Sequence, residues 1–334
     1  MYSIDQVRHV HLEISSRCNA ACPLCPRNFY GYPYNDGYVE HDMTLAEAQT
    51  IFSRKFLSGI NEVYVNGNFG DAVMNADTVP ILTYFRETNP KLKISVSTNA
   101  GARDQSFWED LAHLNVEVLF CIDGLEDTHS LHRQNTMYAT VIRNAGIFIA
   151  AGGHATWKMI EFDHNQHQWA TAKELSEQMG FQKFRLDNHG RDQAPVYNKQ
   201  GQLTHVIGKP ADTSFKIHFS SRKTNDVLLE DITLGRKPRK IQCHVEKTKS
   251  IYVSSTGDVY PCCFLGFNPK EYGHGNYHQA ANAQVAPMIA HNNALQHDIE
   301  SCISWFTSVA NSWKIPTFEQ GRLIICNDVC GQSQ

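Results

Sequence analysis

No stretch of this 334-residue chain stays apolar over the roughly 20 residues that a helix needs to cross a bilayer. The start, MYSIDQVRHVHLEIS, lacks the basic and then apolar segments of a secretory signal. Excess basic charge is also missing: the formal net charge is −4, which gives no general attraction to nucleic acid or anionic membranes. One short basic run, Arg236–Lys240, reads as a solvated linker. Short repeats and low-complexity tracts are absent. Apolar residues make up 42% and charged residues 19%, a globular and not a disordered composition. These absences predict a cytoplasmic protein that acts without membrane or nucleic acid, where thiols stay reduced.

Ten cysteines therefore need a role other than disulfides. Cys18, Cys22 and Cys25 crowd near the start, Cys121 stands alone, and six lie beyond residue 240, which suggests two separate sites. Seventeen histidines invite a metal reading, but His274, His278, His291 and His297 show no ligand spacing. His164 and His167 are explained by capping and exposure at a helix start.

Residues 7–188 carry a strand–helix rhythm. The predicted strands are His9–Ser15, Glu62–Asn66, Lys93–Thr98, Val116–Ile122, Thr156–Phe162 and Gln182–Leu186. Thr44-Leu-Ala-Glu47 is a capping box, Pro80 suits an early helical position, and Gly180 suits the end of a helix over 167–179. Six alternating units imply an α/β fold with a parallel sheet, too few for a full eight-fold barrel. After residue 188 the rhythm fails, and 189–240 reads as a polar connector with a few strands. Further on, Ser250–Val253 and Asp258–Tyr260 read as a hairpin, followed by a helix over 292–314 and a closing cysteine pair.

Cys18-Asn-Ala-Ala-Cys22-Pro-Leu-Cys25 directly follows the first strand, where ligands of parallel sheets bind. Three thiolates can hold three irons of a cubane cluster and leave the fourth open to a ligand; a structural zinc site is the plain alternative. This spacing in this position resembles the radical S-adenosylmethionine superfamily. The resemblance covers most of residues 7–188 and implies a partial (β/α)6 TIM-like barrel. It also implies a 4Fe-4S cluster on Cys18, Cys22 and Cys25, whose open iron chelates S-adenosylmethionine. Reductive cleavage then gives a 5′-deoxyadenosyl radical that abstracts a substrate hydrogen atom. Leu24 departs from the aromatic residue the family more often has before the last cysteine.

Further positions follow from the same resemblance. Gly70 and Asp71 match the family's Gly-Gly-Glu motif for the cofactor's amino group, with Ala72 in place of proline and a carboxylate one carbon shorter. Ser97 and Asn99 end a strand similar to the one that contacts ribose and methionine. Asp123 and Arg133 lie in a segment similar to Ile-Asp-Gly with a downstream His and Arg, here His129 and Arg133. Arg133 is the candidate for the cofactor carboxylate, against a surface ion pair. Cys243, Gly257, Cys262, Cys326 and Cys330 resemble the SPASM or shorter Twitch extension. That implies a small α+β domain and one auxiliary iron–sulfur cluster on Cys243, Cys262, Cys326 and Cys330, with Cys263 able to replace Cys262. A zinc ribbon is the alternative there. Cys302 reads as a small buried residue. The expected division is a barrel over 1–188, a connector over 189–240 and the auxiliary-cluster domain over 241–334.

Strand alternation sets the expected lumen. His11, Glu13, Tyr64, Asn66, Ser95, Ser97, Asn99, Cys121, Asp123, Lys183, Arg185 and Asp187 should face inward, and Val10 and Leu12 should meet helices. On the fifth strand, Trp157, Met159 and Glu161 compete with Lys158 for the lumen. Cys121, if it faces the lumen, could return a hydrogen atom to a substrate radical, as an epimerase requires; as a space-filling core residue it would do nothing. The expected partners are a peptide or small-molecule substrate and an external electron donor such as flavodoxin or ferredoxin. The first strand begins within ten residues of the start, so an amino-terminal peptide-binding domain is not expected. The competing class is a non-catalytic zinc-binding interaction protein.

Overall fold

Alternating apolar and polar residues, bounded by turns, set the strands, and the chain follows them closely. The structure, a computed structural model, describes residues 1–33, 40–187, 194–208, 235–267 and 283–332, with Thr233 and Ala281. Much of the expected connector (189–193, 209–232 and 234) lies outside the described residues, as do His274 and His278.

The strands of the main sheet are β1 (His9–Leu12), β2 (Glu62–Val65), β3 (Lys93–Thr98), β4 (Glu117–Cys121), β5 (His154–Ile160) and β6 (Lys183–Asp187). They pair in parallel and in chain order. Helices lie between them: α1 (Leu45–Ile51), α2 (Arg54–Ser58), α3 (Thr78–Thr88), α4 (Gln105–His113), α5 (His129–His132), α6 (Tyr138–Ala150) and α7 (Trp169–Met179). The Thr44/Glu47 capping box is formed, and Gly180 closes α7 in the left-handed region at φ 88°. Pro80 is the third residue of α3.

A hairpin, β7 (Ala194–Tyr197) with β8 (Leu203–Ile207), follows β6. The later hairpin is β9 (Ser250–Val253) with β10 (Val259–Tyr260), turned by Gly257 at φ 84°. It does not stand apart: β9 pairs in parallel with β1, His11 opposite Tyr252. The sheet therefore has eight strands in the order β10-β9-β1-β2-β3-β4-β5-β6. Its ends, β10 and β6, do not pair with each other, so the barrel is partial and open.

The alternation holds on β1. Val10 and Leu12 are buried in the helix-facing core, while His11 points the other way, its ring against those of Tyr64 and Tyr252. β5 resolves the same way. Trp157 and Met159 are fully buried in the core, Trp157 against Phe181, which leaves Lys158 to the lumen. Trp108, Phe120 and Phe148 complete this outer layer, each worth about 1.5–3 kcal/mol of burial.

The single helix expected over 292–314 is instead two short ones, α9 (Ile299–Cys302) and α10 (Phe306–Ser312), after α8 (His244–Thr248). Asn293 explains the late start: its side chain bonds Thr256 O and Asp258 of the β9–β10 turn, so residue 293 is held out of a helix. Between α9 and α10 the chain makes i→i−3 turns that bury Ile303 and Trp305. The last helix, α11 (Ile324–Cys330), carries Cys326 and Cys330 one turn apart.

Candidate active site and thiol clusters

The loop after β1 carries three thiols at the carboxyl end of the sheet. Cys18, Cys22 and Cys25 are unpaired with one another as disulfides. Burial pushes all three thiols up, Cys25 to about 11. In Cys18 the nearby Asp71, Cys22 and Cys25 add to the rise, and in Cys25 the neighbouring Cys22 does. Donors are aimed at the sulfurs. Asn99 Nδ2 is 3.6 Å from Cys18 Sγ, Ala20 N is 3.4 Å from it, and Arg133 Nη1 is 3.7 Å from Cys22 Sγ. Burial holds these thiols protonated, so a bound metal would have to displace their protons. Donors around them suit the negative sulfur that results, so the donor set fits a thiolate-bound cluster. Among the described residues no three His, Cys, Asp or Glu side chains gather closely enough to hold a single metal ion. In a cubane each cysteine takes a different iron, so the three sulfurs need not meet at one point.

Gly70 and Asp71 lie beside this loop. A Cβ on Gly70 would stand 1.9 Å from Ser15 O, so glycine is required there for backbone to pack on backbone. Asp71 is buried. Its Oδ1 accepts from Thr98 Oγ1 at 2.7 Å and Val73 N at 3.1 Å, and its Oδ2 from Asn99 N at 2.7 Å. It thereby clamps the turn after β2 to the end of β3, and Asn99 is carried to Asn19 and Cys18. Ser97 lies deeper, its Oγ 3.3 Å from Cys121 Sγ. Cys121 is buried at 6% exposure on the lumen side of β4.

Asp123 is completely buried yet ionised. Burial pushes its carboxyl up, but the Arg133 guanidinium and His132 outweigh that and hold it far below the usual range. Oδ2 accepts from Arg133 Nε at 2.6 Å and pairs with His132 Nδ1 at 2.8 Å, while Oδ1 accepts from Ile160 N at 2.7 Å. The pair of Asp123 and Arg133 is therefore an interior one, not the surface ion pair that was the alternative. His129 takes no part in it; its Nε2 is 3.1 Å from Thr136 Oγ1, and burial holds its pKa down at about 4. The histidine that matters, His132, stands next to Arg133 in the sequence, one turn beyond the His129 singled out there.

The lumen below is polar. Lys158 Nζ lies 3.4 Å from Asp187, which Arg185 engages with two nitrogens at 2.5 and 3.2 Å. Just past β1, Glu13 is fully buried and accepts from Phe69 N at 2.8 Å, Gly70 N at 2.9 Å and the Tyr252 hydroxyl at 2.5 Å. Glu13 thus ties the two-turn loop after β2 to the carboxy-terminal hairpin. Its inward direction was legible from alternation; its partner Tyr252, 239 residues away, was not.

Leu24, between the second and third cysteines, packs in a separate apolar cluster with Ile160, Phe162, Ala194, Val196 and Ile207. The β7–β8 hairpin therefore lies against the cysteine loop, and Tyr197 N donates to Tyr30 O at 2.8 Å.

The carboxy-terminal thiols also converge. An apolar cavity is lined by Cys243, Cys262, Cys326 and Cys330, with Met1, Phe264 and Val329 at its rim. Cys263 is not among the lining residues. Its carbonyl accepts from Asn68 Nδ2 at 2.8 Å. Cys243 and Cys330 share a hydrogen bond, which holds Cys330 down at about 6 and pushes Cys243 up. Burial pushes Cys326 up to about 12. Cys302 is a fully buried core residue. His291 Nδ1 and His297 Nε2 meet at 3.3 Å, away from these thiols.

No family model matches the chain. Among curated proteins it is 20% identical to an uncharacterized protein of Methanocaldococcus jannaschii, over 78% of this chain and 86% of that one. It is 30% identical to the FeMo cofactor biosynthesis protein NifB of Methanocaldococcus infernus, over 34% of this chain and 39% of that one. Among solved structures, Streptococcus suis SuiB bound to S-adenosylmethionine superposes with a TM-score of 0.54 at 12% identity, covering 96% of this chain and 77% of that one. The structure of anSMEcpe with bound AdoMet gives 0.53 at 16% identity, covering 97% and 92%. The fold is that of the radical S-adenosylmethionine enzymes. In that radical S-adenosylmethionine fold the Cys18–Cys25 loop stands at the open mouth of the lumen, with Asn99 and Arg133 directed at it. No helix among the described residues is long and apolar enough to cross a membrane.

Proposed function

We propose that this protein is a radical S-adenosylmethionine enzyme acting on a peptide or small metabolite. The observation that carries it is the group of three thiols, Cys22 buried and Cys18 and Cys25 half-buried, at the mouth of an open polar barrel, with a guanidinium and an amide aimed at two of them. Cys18, Cys22 and Cys25 would hold a 4Fe-4S cluster, with S-adenosylmethionine beside it. The chemistry such a cluster supplies when bound is one-electron cleavage of the sulfonium to methionine and a 5′-deoxyadenosyl radical, which removes a hydrogen atom from the substrate. Arg133, oriented by Asp123 through its Nε, has its Nη groups directed toward that site and suits a carboxylate. Asp71 Oδ2 accepts one bond and can take another from an ammonium. Ser97 and Asn99 continue the same wall.

Substrate would sit over Cys121, Tyr64, Lys158 and Arg185, a lining that suits hydrogen bonding and charge. SuiB has been solved with its precursor peptide SuiA, at 14% identity to this chain; this favours a peptide here without naming it. Cys243, Cys262, Cys326 and Cys330, which share one cavity, would hold an auxiliary iron–sulfur cluster. In this reading 1–188 is the barrel, 189–240 the connector and 241–334 the auxiliary-cluster domain, which lends β9 and β10 to the barrel sheet. The test is direct. Reduced, reconstituted protein given S-adenosylmethionine should release 5′-deoxyadenosine and methionine, and the Cys18→Ala, Cys22→Ala, Cys25→Ala triple variant should not. Undiminished deoxyadenosine from the triple variant would sink the proposal.

A further inference from the structure

We infer that the basic segment Arg236–Lys240 is the docking face for a small acidic electron-carrier protein, which delivers electrons at the carboxy-terminal thiol site. The inference rests on the proposed function above. The segment is no free linker. Asn327, which is 1% exposed, accepts from Arg239 N at 2.7 Å and donates to Lys237 O at 3.3 Å. Arg322, also buried, donates to Arg239 O. Gln332 N donates to Lys240 O at 2.9 Å, and Gln242 N to Cys330 O at 2.9 Å. The backbone of 237–242 is thus fixed along α11, the helix that presents Cys326 and Cys330; the side chains of 237–240 remain exposed, and Ile241 packs into the thiol cavity. A solvated linker would leave its backbone groups to water.

The charge is local. Between residues 236 and 249 there are six Lys or Arg and a single acid, Glu246, in a chain whose formal net charge is −4. Arg236 pairs with Asp328 at 3.2 Å. Lys237, Lys240 and Lys247 point to solvent. Next to this cationic strip the thiol cavity reaches the surface, where Phe264 and Val329 are 43% and 42% exposed. An apolar centre over a redox site with a cationic rim suits a transient complex with an acidic carrier. Complementary charge would raise the encounter rate, and the small apolar contact would let the spent carrier leave. Each encounter passes one electron: the carrier is oxidised by one, and the protein-bound acceptor is reduced by one.

The test uses the reconstituted full chain and the variant Lys237→Glu, Lys240→Glu, Lys247→Glu, all three exposed residues that do not line the thiol cavity. The first readout is binding of oxidised flavodoxin, followed by flavin fluorescence anisotropy at low and high salt. The wild type should bind more weakly as salt rises, and the variant should bind at least about tenfold more weakly at low salt with little salt dependence. The second readout is 5′-deoxyadenosine formation, driven by flavodoxin, by ferredoxin, or by dithionite. The variant should match wild type with dithionite and fall by about tenfold with the carriers. Absence of deoxyadenosine with dithionite in the wild type would overturn the proposed function. Normal dithionite activity with carrier binding and carrier-driven rates equal in the two proteins would overturn the docking face alone, as would a wild type that neither carrier reduces.

Discussion

Removing Asp123 should be among the most damaging single changes available in the barrel. Its carboxylate is wholly buried and meets Arg133 at 2.6 Å, His132 at 2.8 Å and Ile160 N at 2.7 Å. Asp123→Ala leaves a buried guanidinium without its counter-charge, a loss of about 3–5 kcal/mol. Replacing both partners removes the stranded charge, so Asp123→Ala with Arg133→Met should be more stable than Asp123→Ala alone. The sign with pH follows from the depressed carboxyl. Its contribution is fully present above the unfolded value near 3.9 and is lost as pH falls below it. The gap between wild type and Asp123→Ala should therefore be flat from about pH 5 to 8, then narrow by about 1.4 kcal/mol per unit below about 4. Anaerobic urea unfolding of the reconstituted proteins measures all of this. A loss under about 1 kcal/mol, or strictly additive single variants, would refute the reasoning.

Three further outcomes are expected. Gly70→Ala forces a Cβ to 1.9 Å from Ser15 O, against the Ser15–Ser16 backbone, and should cost at least about 2 kcal/mol in urea unfolding, whereas Gly146→Ala, which has open space in α6, should gain about 0.4–1 kcal/mol. After anaerobic reconstitution Cys262→Ala should lose the iron of the carboxy-terminal site and Cys263→Ala should keep it; equal iron in both would reject the cavity as the ligand set. For Cys121→Ala, cofactor cleavage should persist while product turnover falls if the thiol returns a hydrogen atom; retention of both would reject that role and leave Cys121 as packing beside Ser97.

Local pattern carried much of the fold. Val10, Leu12, Ile94 and Val96 alternate with polar residues because one strand face must meet helices, and that requirement is written within each strand. Chain-order pairing of β1 to β6 followed from repeated strand–helix units. The Cys18–Cys22–Cys25 spacing marked its own loop. What alternation could not supply was a partner distant in sequence. Ser250–Val253 looks like any hairpin strand; only the tertiary fold sets it beside β1 and brings Tyr252 to Glu13. Lys158 became a lumen residue only once Trp157 had found Phe181 on the helix side.

The same division runs through the thiol sites. The sequence by itself determined which residues can ligate, because cysteine chemistry and spacing are local properties. Only the tertiary structure distinguishes the neighbours: Cys262 lines one cavity with Cys243, Cys326 and Cys330, and Cys263 does not. Which of two adjacent residues lies beside the other thiols depends on α11, more than 60 residues further along the chain. The basic run Arg236–Lys240 makes the same point. As a string of letters it is a solvated linker; fixed by Asn327 and Arg322 along the helix of Cys326 and Cys330, it becomes a charged edge of the thiol cavity.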